Sequence, residues 1–362
     1  MFRTISLCRN YIWKRTITTR PHVVYDDQTI SFLSVFPEVA DTLSNSKFFK
    51  NTPEFQQHFI DVIDYNVMKE KRFRVPLLLE TYKILEKPEN LTEQNLRLVN
   101  ILAWCIEMIE AYMNSEDDTM DQTPFRCDDV CWHKKENIGL SSFRDCIYLN
   151  EAAFILMQKY FRDTPIYLPL IKLFHEMNQH LVIGQSLDWH WKVDNKLDFS
   201  KFNTHLFLRM GRLKGGFVII ESPFQTTCLF CNIYPKFLKI QELLRRMTYV
   251  FQVDNDVLDV FQNGKAKIDA GENIRQGQCT WMAVQVLETG SESLKKLFKE
   301  NYGREGEEYE NKIINIYYEM ELYDKYLAYK KKDLEYIQTY LNNLNDPPIQ
   351  KAVMNLYNKV FL

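Results

Sequence analysis

Apolar positions along this chain recur at steps of three and four. Leu102, Ile106, Ile109 and Met113 mark one helix with a buried face, and Ile313, Ile316, Met320, Tyr323 and Leu327 mark another. Breaks fall at Pro53, Lys87-Pro88, Thr123-Pro124, Thr164-Pro165, Ser222-Pro223, Asn263-Gly264 and Pro347-Pro348. They divide the chain into about ten or more helices of ordinary or greater length. No internal repeat or long flexible linker interrupts them. The pattern therefore predicts an all-α fold, with one domain covering 30–362. No run reaches about 18 consecutive apolar residues, so no membrane span is expected.

Composition agrees with this reading. Gly 11 and Pro 12 in 362 residues are scarce, which argues against folds that need many tight turns. A net charge of −3 removes bulk electrostatics as a reason to bind nucleic acid. That charge is unevenly spread. Residues 1–25 hold Arg3, Arg9, Lys14, Arg15 and Arg20 and no acid, leaving about −8 on the remainder. An Arg-rich, hydroxyl-bearing, acid-free start reads as a mitochondrial-type transit peptide, with a cytoplasmic protein as the alternative. The eight cysteines lack the paired spacing of a zinc site; Cys228 and Cys231 form a lone CxxC. A reducing compartment follows.

Three acidic clusters supply the candidate chemistry. Asp117, Asp118 and Asp121 end the Leu102–Met113 helix, with Asp117 and Asp121 on one face. Asn255, Asp256 and Asp259 end a second apolar helical run, and Gln185 and Asp188 lie one turn apart in a third. Like charges at this spacing repel unless a cation bridges them. Oxygen-only ligands select Mg²⁺, which completes its shell with water and substrate phosphates. Two such clusters on separate helices suit ions that neutralise a diphosphate leaving group.

From about residue 55 onward the sequence resembles the trans-isoprenyl diphosphate synthases, and within them the farnesyl diphosphate synthases. The resemblance rests on DDTMD at 117–121, Arg126 and the following Cys131-Trp132, FHE at 174–176, GQSLD at 184–188, LDFSKF at 197–202, FQVDNDVLDVF at 251–261, CTW at 279–281 and KENYG at 299–303. It implies an isoprenoid synthase fold around a central apolar cavity and a homodimer. It also implies about three Mg²⁺ ions, held by Asp117, Asp118, Asp121, Asp188, Asn255, Asp256 and Asp259. Arg126, Lys214 and Gln252 would serve the allylic diphosphate. Lys71 and Arg74 remain from the family's isopentenyl diphosphate group. Tyr112, Met113, His180, Trp189, Phe217 and Phe251 are candidates to line the cavity, with Tyr112 five residues before Asp117, where family aromatics limit product length, and Gln185 is a further candidate to bind the substrate. His133 is a candidate base.

Departures from the family pattern cluster in the isopentenyl group. Glu110 stands where Gln or His is usual, Cys127 replaces the second Arg of a pair, Asp128 and Asp129 follow it, and the basic C-terminal tail is missing. Elsewhere, Asp269 replaces a Lys and Gly215 a Thr. Such a pattern is similar to the terpene synthases that arose within this family in insects. The resulting expectation is a Mg²⁺-dependent lyase that ionises a prenyl diphosphate, foremost farnesyl diphosphate in its E,E or Z,E form, to a sesquiterpene. Two alternatives stay open: a prenyltransferase making geranyl or farnesyl diphosphate, and a non-catalytic paralogue that binds isoprenoid diphosphates.

Overall fold

A computed structural model describes residues 27–47, 49, 52–68, 74–127, 129–188, 192–193, 196–267 and 271–361. The basic leader at 1–25, Lys71, Asp128, Trp189 and Asp269 lie outside that set. Helices in chain order are α1 (Asp27–Ser44), α2 (Pro53–Asn66), α3 (Arg74–Leu85), α4 (Glu93–Asp121), α5 (Ser142–Phe161), α6 (Tyr167–Asp188), α7 (Thr204–Gly211), α8 (Ser222–Phe230), α9 (Tyr234–Val260), α10 (Glu272–Gln276), α11 (Trp281–Thr289), α12 (Glu292–Asn301), α13 (Glu307–Glu319), α14 (Leu322–Asn342) and α15 (Pro347–Phe361). A π-helical segment, Arg212–Glu221, joins α7 to α8. Among the described residues the strands, two residues each, form three hairpins. Arg74 opens α3, and its side chain lies outside the described set.

The chain forms two compact units. One comprises residues up to His175 together with Pro223–Tyr234; the other comprises Glu176–Ser222 and Pro235–Leu362. In the first, α4 packs along α5. Thr92 caps α4 by accepting a hydrogen bond from the Asn95 N–H, satisfying one of the helix's open donors. Every residue from Val99 to Ala111 is buried, so α4 is surrounded on all sides. Trp104 is fully buried, stacks on Phe32 at 4.0 Å and donates its indole N–H to the Phe32 carbonyl at 3.1 Å. In the second unit, Phe207 and Met210 of α7, Val253 and Val257 of α9, Trp281 and Ala283 of α11, and Ile313 and Tyr317 of α13 belong to one apolar core.

Most sequence breaks coincide with helix ends, but one does not, and one turn falls where no break was read. The Ser222-Pro223 break is absent, because the π segment runs directly into α8, and the Ser222 hydroxyl donates to the Val218 carbonyl at 2.9 Å, beside the N–H that Pro223 lacks. Conversely, the Ile313–Leu327 run is two helices. The chain turns at Glu321, which has a left-handed φ of 53°, while the apolar spacing continues across the turn, so periodicity alone could not register it.

Candidate functional site

The first acidic cluster is formed by the last turn of α4. Gln122 ends the helix in a left-handed conformation, and the N–H groups of Gln122 and Thr123 both bond to the Asp118 carbonyl. Just beyond, Phe125–Arg126 pairs antiparallel with Asp129–Val130. This hairpin returns Arg126 to the helix end. The guanidinium grips Asp118 through Nε at 2.8 Å and Nη2 at 2.7 Å, and reaches Asp117 at 3.4 Å. Asp118 is buried, whereas Asp117 and Asp121 are partly exposed. A fixed cation thus stands against one buried carboxylate, Asp118, and one partly exposed carboxylate, Asp117. Tyr112 lies one turn upstream of Glu116, and burial and Glu116 hold its phenol above the ordinary range. Met113 is half-buried. His133 is buried, and burial with Lys134 nearby lowers its pKa, which keeps it neutral and suits it poorly to hold a charge.

The second unit holds the other clusters. Asp188, the last residue of α6, is buried and forms an ion pair with Lys214 on the π segment. Gly184 permits this approach: a Cβ there would lie 2.4 Å from the Lys214 backbone nitrogen. Gly211 and Gly216 have the same role against α9, where added Cβ atoms would lie 2.8 Å from the Gln252 side chain and 2.5 Å from Thr248. Small residues therefore bring three backbones close together, and a π segment is a common feature at functional sites. Phe217 is fully buried against His180, with ring centroids 4.2 Å apart. Gln185 is half-buried.

On α9, Asp256 is buried and both its oxygens accept hydrogen bonds, from Gln252 Nε2 at 2.8 Å and from the Trp281 N–H at 2.7 Å. Burial pushes its pKa up to about 7, and the charges of Asp259 and Asp188 add to the rise. Asp259 accepts from Asn273 at 3.0 Å and is also raised by burial. Asn255 is exposed. The structure thus brings Asp188, Lys214, Gln252, Asp256 and Asp259 together in one unit, and Asp117, Asp118, Asp121 and Arg126 in the other.

Mg²⁺ fits this donor set. The side chains offered are oxygen ligands; burial is the main reason Asp256 is raised, and the smaller repulsion from Asp259 and Asp188 is what a cation would offset. Among the described residues no three His, Cys, Asp or Glu side chains converge into a closed cage. An ion that keeps waters and takes substrate phosphates needs no such cage. Sequence reasoning passed over the Gly184, Gly211 and Gly216 contacts and the π segment. The glycines themselves were the available signal, since a Gly inside a helical pattern costs helix stability and so suggests a packing reason.

Residues 56–320 match the polyprenyl synthetase family. The chain belongs to that family. It is 28% identical over 336 residues to farnesyl pyrophosphate synthase 2 of Arabidopsis thaliana, covering 92% of this chain and 98% of the relative. It is 27% identical to the mitochondrial farnesyl pyrophosphate synthase 1 of the same plant, covering 92% and 88%. Among solved structures, T. brucei farnesyl diphosphate synthase complexed with homorisedronate superposes with a TM-score of 0.85 at 22% identity, covering 92% of this chain and 99% of that one. The fold is the all-α isoprenoid synthase fold, and the protein is an enzyme of the isoprenyl diphosphate synthase family.

These relatives correct the terpene synthase expectation. The relatives matched along most of their length are farnesyl pyrophosphate synthases, which are prenyltransferases. The expectation rested on substitutions read as damage to a second diphosphate site. Glu110, the strongest of them, is only 2% exposed inside α4, so a charge presented to a substrate does not follow from its identity. Lys71 and Asp128 fall outside the described residues.

Proposed function

We propose that this chain is a Mg²⁺-dependent prenyltransferase that joins isopentenyl diphosphate to an allylic diphosphate, giving geranyl and then farnesyl diphosphate. The allylic C–O bond breaks, and its electron pair leaves with diphosphate. The isopentenyl double bond attacks the allylic carbon, a C–C bond forms, and a proton is lost to restore a double bond. Mg²⁺, when bound, neutralises charge on the departing diphosphate.

The residues divide the work. Asp117, Asp118, Asp121, Asp188, Asn255, Asp256 and Asp259 supply oxygen ligands. Arg126, Lys214 and Gln252 bind and orient the allylic diphosphate, with Arg126 offering a planar fork suited to phosphate oxygens. Lys71 and Arg74 are assigned to isopentenyl diphosphate. Tyr112, Met113 and Phe217 are assigned to the hydrocarbon chain, where apolar walls exclude water from the reacting carbons, and Gln185 is assigned to the substrate through its polar amide.

The observation that carries this reading is the pairing of a phosphate-binding cation with an acidic helix end in each unit, Arg126 with Asp117 and Asp118, and Lys214 with Asp188. Diphosphate release from dimethylallyl diphosphate should require added isopentenyl diphosphate. Equal release without it would overturn the reading. The same reading includes a homodimer, checked by sedimentation, and mitochondrial import directed by residues 1–25, checked by locating full-length and leaderless chains in cells.

A further inference from the structure

A hairpin of two-residue strands has no stability of its own in water, yet one such hairpin presents Arg126. Its register pairs Phe125 with Val130 and Arg126 with Asp129, and Cys127 in the connection takes a left-handed φ of 52°. The side chains that restrain it come from elsewhere in the same unit. Tyr65 of α2 donates its hydroxyl to the Val130 carbonyl at 2.5 Å. The Tyr65 ring lies 5.1 Å from the Trp132 ring, and the Lys135 ammonium sits 3.5 Å above Tyr65. This cation–π contact holds the ring in place.

Trp132 is anchored in turn. Its indole N–H donates to Asp145 at 2.9 Å, and the other Asp145 oxygen pairs with His58 Nε2 of α2 at 2.7 Å. The Asp145 side chain is 1% exposed and sits in the first turn of α5, where the helix dipole favours a carboxylate. A buried carboxylate with donors on both oxygens fixes the groups that point at it. Tyr65, Ser115, Asp118, Arg126, Cys127 and Trp132 line one small recess, so the anchor and the guanidinium share a boundary.

We propose that Asp145 and Tyr65 are positioning residues for Arg126. They hold the hairpin so that the guanidinium rests on Asp118 already oriented for a diphosphate; this inference rests on the diphosphate-binding reading given above. Asp145→Asn keeps the shape but removes the charge that draws both donors, and its single carbonyl oxygen can accept from Trp132 or from His58 but not from both. Tyr65→Phe removes only the hydroxyl.

Calorimetric titration of the full chain with inorganic diphosphate in the presence of Mg²⁺ tests it, alongside Arg126→Gln. Arg126→Gln and Asp145→Asn should each raise Kd about tenfold, and Tyr65→Phe several-fold. The urea midpoint of Tyr65→Phe should stay near that of wild type. In the Arg126→Gln background neither positioning variant should weaken binding further, because both act through the missing group. Should Asp145→Asn fail to fold, Tyr65→Phe decides alone. Losses that add to that of Arg126→Gln, or wild-type affinity in a folded positioning variant, overturn the inference and leave the diphosphate reading standing. A wild-type chain that binds no diphosphate overturns both.

Discussion

Replacing Gly184 by alanine tests whether backbone proximity sets the Lys214–Asp188 pair. A Cβ at 184 would lie 2.4 Å from the Lys214 nitrogen and 2.6 Å from the Leu213 carbonyl carbon and the Lys214 Cα. Ordinary carbon contacts are about 3.5–4.0 Å, so α6 and the π segment must part by about 1 Å. The obstructing atoms are backbone and cannot swing aside. Overpacking of this kind destabilises by about 1–3 kcal/mol. A misplacement of about 1 Å in a catalytic group lowers turnover about 10²-fold. Gly215→Ala is the matched control for stability, since its Cβ would meet only the Ile219 Cδ1 at 3.4 Å and would also reduce unfolded-state freedom. Urea denaturation and steady-state kinetics on both variants give the answer. Gly184→Ala should show a lower unfolding midpoint and a kcat reduced about 10²-fold, while Gly215→Ala keeps or slightly raises the wild-type midpoint. Wild-type stability and turnover in Gly184→Ala would refute the reasoning.

Other consequences follow from the same structure. Asp117→Ala and Asp256→Ala should each abolish measurable turnover without unfolding the chain, checked by activity and circular dichroism together; Asp256→Ala should also lose the contacts with Gln252 and the Trp281 N–H. His180 has its pKa lowered to about 4 by burial, with Arg212 and Arg245 adding to the shift. The unfolded chain therefore takes up a proton near pH 6.5 that the folded chain refuses until about pH 4. Stability should be lost as pH falls through that window, and urea midpoints at pH 7 and pH 4.5 should differ less in His180→Gln than in wild type.

The helix-end motifs were legible because their chemistry is local. Asp117 and Asp121 share a face by spacing alone, and Gln122 ends the helix directly after them. What the acids touch was not legible in the same way. Trp281, which donates its N–H to Asp256, follows it by 25 residues, and Asp145 meets His58 across 87. Such partners depend on packing, which no window of sequence contains. The Glu321 turn escaped notice because neither Gly nor Pro marks it. The terpene synthase expectation failed for a related reason. It assigned Glu110 a charge facing substrate from its position in a motif, whereas burial in α4 sets what that carboxylate meets.

The central claim is that this chain forms a carbon–carbon bond between two diphosphates. Incubating it with dimethylallyl diphosphate, ¹³C-labelled isopentenyl diphosphate and Mg²⁺, then resolving products by mass spectrometry, tests that claim most directly. Farnesyl diphosphate carrying two labelled isopentenyl units should form with Mg²⁺ and be absent when EDTA is added. Folded protein that leaves every labelled isopentenyl unit unincorporated would contradict it.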